Sequence, residues 1–243
     1  MALLDLCYYS HALGMQTAAT VILPQDSPGP YQVMFLLHGR SDDHTIWTRR
    51  TSIERYVEGL PLIVVMPNGH RGFYVDMDNG YPYGKAVGEE LPALIRNWFS
   101  TVDVWSITGL SMGGYGALRT AFNYPDLFKS AVSHSGALIK FGEGIALDRS
   151  QEDLEWYRTF GTAPHGGPND LFQLAETHKD QIKIRIDCGT EDFLLEENRR
   201  YTAHLNEIGY QHEYEEFAGT HEWGYWDTHV QEAIAFHRKN LNF

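Results

Sequence analysis

Apolar residues in this chain fall into short runs that are separated by glycine, proline and polar clusters. Such runs are typical of strands that are covered on both faces of a sheet. Segments with helical periodicity lie between the runs, and this alternation predicts a mostly parallel sheet with helices on both faces. The predicted strands of this part are 31–37, 62–66, 104–108, 130–134, 183–188 and 213–217. The predicted helices are 46–57, 84–99 with a kink at Pro92, 113–124, 193–208 and a segment from about 226.

Two parts of the chain depart from this regular alternation. Residues 3–9 and 15–23 predict two strands that are joined by a turn at Gly14, which is typical of an antiparallel hairpin. Between about 137 and 180 the pattern loosens, because glycines interrupt it and only short helical pieces are indicated. We therefore expect a single α/β domain over residues 1–243 that carries a lid-like insertion at 137–180.

The composition narrows the class of function and the expected compartment. A chain of 243 residues can bury a substantial core, and no apolar run approaches the length of a membrane span. The net charge of −13, from 32 acidic and 19 basic residues, opposes binding to nucleic acid or to an anionic membrane. The first residues lack the basic lead and the apolar core of a signal peptide, so a cytoplasmic protein is expected. Two cysteines, Cys7 and Cys188, are too few for a disulfide framework, and Cys188 is expected to be a buried small hydrophobe.

The motif with the clearest chemistry is Gly109-Leu110-Ser111-Met112-Gly113. It lies between the predicted strand 104–108 and a helix, which is the setting of a nucleophile elbow. The sharp turn forces the serine into a strained backbone conformation, and side chains two residues before and after it would collide unless both residues are glycine. Ser111 is therefore the predicted nucleophile.

A serine hydroxyl needs a base to take its proton and usually a carboxylate to orient that base. His221 follows strand 213–217 through a short glycine-containing turn and is the predicted base. Asp192 is the predicted acid, because it lies in the loop after strand 183–188, with Glu191 and Asp187 as alternatives. The order serine, acid, histidine is the one found in α/β-hydrolases.

Attack on an ester also requires donors for the negative charge that develops on the carbonyl oxygen. The backbone N–H of Met112, at a helix N-terminus, and that of Arg40, in the loop after strand 31–37, are the predicted donors. His38 and Gly39 end the same strand and are candidate substrate contacts, since ligands of α/β sheets lie beyond the carboxyl ends of the strands.

Aromatic and metal-ligating residue types suggest two further features. Three tryptophans, Trp47, Trp223 and Trp226, are candidates for the wall of an acyl or aromatic pocket, although packing is an equally good interpretation. The residues His38, Asp42, Asp43 and His44 are the best candidates for a metal cluster, but their spacing matches no strong ligand signature. We therefore predict neither a metal nor a cofactor.

Five motifs spread over nearly the whole chain are, in combination, specific for one family. They are Leu37-His38-Gly39, Val65-Met66-Pro67-Asn68, Gly109-Leu110-Ser111-Met112-Gly113-Gly114-Tyr115-Gly116, Cys188-Gly189-Thr190-Glu191-Asp192-Phe193-Leu194 and Gly219-Thr220-His221-Glu222-Trp223. With them the chain resembles the esterase D-like branch of the α/β-hydrolases, in particular bacterial tributyrin esterases. The resemblance implies an α/β-hydrolase fold and hydrolysis of short acyl esters by a triad of Ser111, Asp192 and His221, without a metal.

The resemblance leaves several substrates open. We expect a serine carboxylesterase for acetyl to butyryl esters, and relatives of this branch suggest feruloyl, cinnamoyl or acetyl-xylan esters as the alternative. S-formylglutathione hydrolases of the same branch usually carry a cysteine shortly after the His-Gly turn, where this chain has Arg40-Ser41-Asp42, which argues against that substrate. A non-catalytic scaffold is disfavoured because all three triad residues are present. The expected partner is a small-molecule ester, and the oligomeric state is open.

Overall fold

One eight-stranded sheet runs through the computed structural model, which describes residues 1–26, 28–139, 151–162 and 165–243. The strands are β1 (Ala2–Ser10), β2 (Met15–Leu23), β3 (Gln32–Leu37), β4 (Leu62–Pro67), β5 (Trp105–Leu110), β6 (Phe128–His134), β7 (Lys183–Gly189) and β8 (His212–Phe217). Across the sheet they lie in the order β1-β2-β4-β3-β5-β6-β7-β8. The pairs β1–β2 and β2–β4 are antiparallel, and the other pairs are parallel. The predicted α/β architecture with a mostly parallel sheet is therefore confirmed.

Helices lie in the connections between the strands and after the last strand, as the alternating pattern predicts. They are α1 (Ile46–Arg50), α2 (Ile53–Tyr56), α3 (Tyr83–Lys85), α4 (Leu91–Trp98), α5 (Met112–Asn123), α6 (Gln151–Phe160), α7 (Leu171–Thr177), α8 (Leu195–Glu207) and α9 (Trp223–Leu241). Within the described residues, none of the helices has the length and apolar character needed to cross a membrane.

Two predicted helices are built differently from the expectation. The helix expected over 46–57 is two short helices, because Thr51 is extended (φ −131°, ψ 171°) and separates α1 from α2. The helix expected over 84–99 contains a π-helical turn, Ala86–Glu90, immediately before α4. Pro92 lacks the N–H that a regular α-helix would use at this point, so a change of helical bonding is expected just before it.

The side chains of β3 alternate between two hydrophobic layers, one on each face of the sheet. Phe35 packs against Trp105 and Phe128, with ring centroids 5.8 and 5.5 Å apart, in the layer that also holds residues of α4 and α5. Met34 and Leu36 belong to the opposite layer, which includes side chains of α1 and α9. Every residue of β3 is buried, because both faces are covered.

The predicted lid-like insertion at 137–180 contains two helices that pack on the rest of the chain. In α6, the rings of Trp156 and Phe160 lie 5.4 and 5.2 Å from the ring of Phe73. Before α7, the carbonyl of Asn169 accepts a hydrogen bond of 2.6 Å from the hydroxyl of Tyr115. Residues 140–150 and 163–164 of the predicted insertion lie outside the described residues.

A buried histidine joins α9 to the two strands at the centre of the site described below. His237 Nε2 lies 2.7 Å from the hydroxyl of Thr108 in β5, and Nδ1 lies 2.7 Å from the hydroxyl of Ser130 in β6. Burial lowers the pKa of His237 from 6.5 to about 3, with a further contribution from nearby His134, because the charged imidazole would lose its hydration. The ring is therefore neutral in the folded protein.

This neutral histidine predicts a pH dependence of stability. Between pH 6.5 and about 3 the unfolded chain binds a proton at His237 that the folded chain does not bind, so the free energy of unfolding falls as the pH falls. In His237→Gln, unfolding takes up as much as one proton fewer in this pH range. We therefore expect the slope of the free energy of unfolding against pH to fall by at most about 1.4 kcal/mol per pH unit. Urea unfolding followed by circular dichroism at pH 7, 6 and 5 measures the slope, with the exposed His11→Gln as control. An unchanged slope in His237→Gln would contradict the assignment.

Candidate active site

Ser111 lies at the junction of β5 and α5 in a conformation that non-glycine residues rarely adopt (φ 53°, ψ −119°). Its N–H donates a hydrogen bond of 2.9 Å to the carbonyl of His134 at the end of β6. Its own carbonyl accepts from the N–H groups of Tyr115 and Ala137, both at 3.1 Å. The neighbouring backbone therefore holds the strained turn at this residue.

Both glycines of the motif lie so close to neighbouring backbone atoms that a Cβ atom would collide with them. A Cβ atom on Gly109 would lie 2.1 Å from the carbonyl oxygen of Gly113. A Cβ atom on Gly113 would lie 2.6 and 2.7 Å from the carbonyl oxygens of Leu37 and His38, at and just after the end of β3. The expected collisions are thus present, and the second of them shows that β3 packs directly under the start of α5.

His221 and Asp192 are hydrogen bonded to each other. His221 Nδ1 lies 2.8 Å from Asp192 Oδ2, and Asp192 Oδ1 accepts a 2.8 Å bond from the N–H of Leu194. Burial raises the pKa of the Asp192 carboxyl, but hydrogen bonds from His221, Leu194 and Ser135 outweigh this effect and leave the pKa below its ordinary value. Asp192 is thus held as a carboxylate, which fixes the orientation of the imidazole.

The two alternative acids have other partners in the part of the chain that the structure describes. Asp187 is buried in β7, where its carboxylate lies 2.8 and 2.9 Å from Nδ1 of His134 and accepts a 3.1 Å bond from the hydroxyl of Tyr225. Glu191 is exposed and accepts a 2.7 Å bond from the N–H of Gly219. Among these three carboxylates, Asp192 is the one that contacts the His221 ring.

A cleft of about 280 Å³ opens at Ser111. The residues that line it are Arg40, Phe73, Ser111, Met112, Ala137, Ile139, Trp156, Phe193, Leu194 and Glu197. The ring of Phe193 also lies 4.5 Å from the ring of His221, which places the histidine beside the same cleft.

Both predicted oxyanion donors belong to residues of this cleft. Met112 is the first residue of α5, where a backbone N–H has no acceptor within the helix. Arg40 follows Gly39, and a Cβ atom on Gly39 would lie 3.7 Å from Cβ of Ser111, so the loop after β3 packs against the serine. The structure thus brings Arg40, Ser111 and Met112 together.

The three tryptophans predicted as pocket walls are packed elsewhere. Trp47 is buried, donates from Nε1 to the carbonyl of Leu37 at 3.1 Å and meets Trp223 edge-on at 5.3 Å. Trp226 is also buried and lies edge-on against the ring of His221 at 4.9 Å. These tryptophans are not among the residues that line the described cleft, and Trp226 forms packing behind the histidine.

His38 does not present its side chain to the cleft. Its Nδ1 lies 2.7 Å from the carbonyl of Gly39, and its Nε2 accepts a 2.9 Å bond from the N–H of Gly69. Burial lowers its pKa to about 4, so the ring is neutral and both nitrogens are used. His38 thereby ties the end of β3 to the loop after β4, and Gly39 contributes backbone to the site.

The residues considered as candidate metal ligands, His38, Asp42, Asp43 and His44, do not form a group that is placed to hold a metal ion. Asp43 Oδ1 accepts a 2.8 Å bond from the N–H of Thr45. Within residues 1–26, 28–139, 151–162 and 165–243, no group of three or more histidine, cysteine and acidic side chains is placed to hold a metal ion. Cys188 is buried, and burial raises the pKa of its thiol to about 12, in keeping with a packing role.

Several residues of the cleft are not among the site residues predicted from the sequence. Phe73 belongs to an aromatic-rich loop, but nothing in the pattern indicates its positive φ of 50°, which non-glycine residues rarely adopt. Trp156 belongs to a short helix of the loosely patterned segment, and Glu197 belongs to an ordinary charged helix. Their positions depend on how the helices pack on the sheet.

Comparisons with known proteins agree with this architecture. The model of the esterase family, described as "Putative esterase", matches residues 10–237. An acetyl esterase of Caldicellulosiruptor saccharolyticus is 30% identical over 98% of this chain and 99% of its own. A substrate-bound fluorophosphonate-binding serine hydrolase of Staphylococcus aureus is 30% identical and superimposes with a TM-score of 0.86 over 96% of this chain and 97% of its own. An S-formylglutathione hydrolase of the same organism is 30% identical with a TM-score of 0.83 over the same shares.

These matches extend over nearly the whole chain and agree with the elbow and the sheet order. The chain therefore belongs to the esterase family of α/β-hydrolases, in its esterase D-like branch, and is a carboxylic ester hydrolase.

Proposed function

We propose that the protein is a serine carboxylesterase for esters of short acyl groups, with Ser111 as nucleophile, His221 as base and Asp192 as the acid that orients the base. The observation that carries this proposal is the 2.8 Å bond between His221 and the buried carboxylate of Asp192, beside the cleft that Ser111 lines. Two carboxylates nearby are bound to other groups, so the assignment of the acid rests on contact geometry rather than on chain order.

The reaction begins with proton transfer from Ser111 Oγ to Nε2 of His221, whose Nδ1–H donates to Asp192. The oxygen of Ser111 forms a bond to the carbonyl carbon of the ester, and the carbonyl oxygen becomes an oxyanion. When the intermediate collapses, His221 gives its proton to the departing alcohol and an acyl-serine remains. Water then attacks the acyl group with His221 as base, which releases the acid and restores Ser111.

The oxyanion is proposed to accept hydrogen bonds from the N–H groups of Met112 and Arg40. Donors of this kind are preorganised for the transition state, and removal of one side-chain donor from an oxyanion hole costs about 2.7–4 kcal/mol in an enzyme where it was tested. The strained turn at Ser111 supports this role, because Ser111 and Met112, the first residue of α5, both line the same cleft.

The size of the cleft supports a small acyl group. Its volume of about 280 Å³ is at the low end for ligand pockets, which span roughly 300–1,000 Å³. The name of the acetyl esterase relative supports the same class of substrate.

Two other substrates have support. The rings of Phe73, Trp156 and Phe193 line the cleft and favour a flat aromatic acyl group, such as feruloyl, as the second candidate. The name of one neighbour supports S-formylglutathione, whereas Arg40-Ser41-Asp42 in place of the usual cysteine argues against it.

Covalent labelling tests the nucleophile. We expect a fluorophosphonate probe to label the native protein at Ser111 and to fail on Ser111→Ala, because only a serine activated by a base attacks phosphorus at a useful rate. Mass spectrometry of the labelled peptide identifies the site. Ser41→Ala, in the adjacent loop, is the matched control and should label like the native protein. A folded native protein that does not label at Ser111 would overturn the proposed function.

Substitution of the acid tests the second member of the triad. Asp192→Asn is expected to lower kcat for 4-nitrophenyl acetate by roughly three to four orders of magnitude, with a smaller effect on KM, because the imidazole would lose its orientation. Steady-state kinetics measures both constants. Glu191→Gln is the control, since Glu191 is bound to the Gly219 N–H, and it should keep most of the activity. A larger loss in folded Glu191→Gln or Asp187→Asn would contradict the assignment of the acid.

A series of esters with one leaving group tests the acyl preference. We expect kcat/KM to be highest for 4-nitrophenyl acetate and butanoate and to fall by at least about tenfold for the octanoate, because the cleft is too small to enclose a long chain. The 4-nitrophenyl ester of ferulic acid is the competing substrate. A higher kcat/KM for this ester than for the acetate and butanoate would favour the aromatic candidate instead.

A further inference from the structure

Glu197 is an acidic residue in the wall of an otherwise largely apolar cleft. It lies in the first turn of α8 and lines the cleft together with Ser111. The preceding residue, Glu196, has a side chain that is 82% exposed and pairs with Arg199 at 2.7 Å. Two consecutive glutamates of one helix thus have opposite environments, one at the surface and one at the cleft.

The carboxylate of Glu197 lacks a partner for one of its oxygens. Oε2 is buried and has no hydrogen-bond partner among the residues that the structure describes. Burial raises the pKa of this carboxyl, and Arg200 opposes the increase only in part. A buried acceptor without a donor is unfavourable by about 1–3 kcal/mol, so such a group calls for an explanation.

Helix capping does not explain this residue. A glutamate in the first turn of a helix commonly accepts from the N–H of the residue that caps the helix. That residue here is Leu194, and its N–H donates to Asp192 Oδ1 at 2.8 Å instead. The capping role is therefore taken by the proposed catalytic acid, and the Glu197 side chain, which lines the cleft, is left without this partner.

We propose that Glu197 is a specificity-determining residue that accepts a hydrogen bond from a hydroxyl group of the ester bound in this cleft. The inference rests on the proposed esterase function and narrows its substrates to esters that carry a hydroxyl group near the scissile bond. A hydroxyl fits better than an ammonium group, because Arg40 lines the same cleft beside apolar side chains such as Ile139 and Leu194. An ammonium would meet a like charge there and would also lose far more hydration.

Matched pairs of esters test the proposal whatever the natural ester is. On the acyl side, 4-nitrophenyl 3-hydroxybutanoate is compared with 4-nitrophenyl 3-methylbutanoate, in which a methyl group replaces the hydroxyl. On the alcohol side, 2-hydroxyethyl butanoate is compared with propyl butanoate. The measured quantity is the ratio of kcat/KM within each pair, for the native protein and for its variants.

The expected result is a change of this ratio in at least one pair. Glu197→Leu should lower the preference for the hydroxyl member by about tenfold, because leucine offers no acceptor for the hydroxyl of the ester. Glu197→Gln retains an acceptor oxygen and should keep part of the preference. Glu196→Gln, on the exposed side of the same turn, should leave both ratios unchanged. Unchanged ratios in Glu197→Leu for both pairs would overturn the proposal.

Two measurements separate this proposal from the proposed function. Fluorophosphonate labelling of each variant and its hydrolysis of 4-nitrophenyl acetate show that the site is intact. If the native protein neither labels nor hydrolyses the acetate, the esterase proposal fails. If Glu197→Leu labels normally and its ratios match those of the native protein, only the role of Glu197 fails. Should Glu197→Leu not fold, the isosteric Glu197→Gln carries the test, and an unchanged ratio there overturns the proposal.

Discussion

The backbone conformation of Ser111 is the constraint on which the site depends. A residue at φ 53° and ψ −119° is stable only where its surroundings determine it. Here β3 packs against Gly113 from below, and β6 accepts the serine N–H through His134. The ends of three adjacent parallel strands, β3, β5 and β6, therefore meet at one residue. The sheet order, with β5 between β3 and β6, is what makes this possible.

The buried histidines show how the same side chain serves different purposes in this fold. His38 and His237 are enclosed, neutral and bonded through both nitrogens, so they act as fixed polar connectors between elements. His221 differs, since its side chain is 17% exposed and one nitrogen meets a carboxylate. The enclosed rings are protected from protonation by the loss of hydration, whereas the ring of His221 lies partly exposed beside the cleft.

The sequence predicts well the features that lie next to strands in the chain. The positions of Ser111 and Asp192 after β5 and β7 follow from short apolar runs and the turns after them, and His221 follows the more polar strand β8 through a glycine-containing turn. Parallel strands bring their carboxyl ends to one edge of the sheet, so the three residues lie on the same side. The short helices are harder to predict, since an extended Thr51 and a π-helical turn leave little trace in hydrophobic periodicity.

The residues that form the walls of the cleft cannot be predicted from the hydrophobic pattern of the sequence. An aromatic side chain contributes similar burial energy in a core and in a pocket, so the pattern that marks Trp47 and Trp226 is the same as the one that marks Trp156. Their different places follow from how α1, α6 and α9 pack on the sheet. Glu197 belongs to a helix whose sequence is typical of a solvated face, and only the folded chain reveals its buried oxygen.

The carboxylate of Asp192 has two partners, and this links parts of the molecule that would otherwise be independent. One oxygen orients His221, and the other holds the Leu194 N–H at the start of α8. The helix that carries Glu197 into the cleft wall is thus anchored by the same group that orients the imidazole. In evolutionary terms, moving the proposed acid to another strand end would also release the N–H at the start of α8, beside one wall of the cleft. Changes at side chains of α8 leave the Asp192 bond to His221 in place and are accordingly the simpler way to alter the cleft.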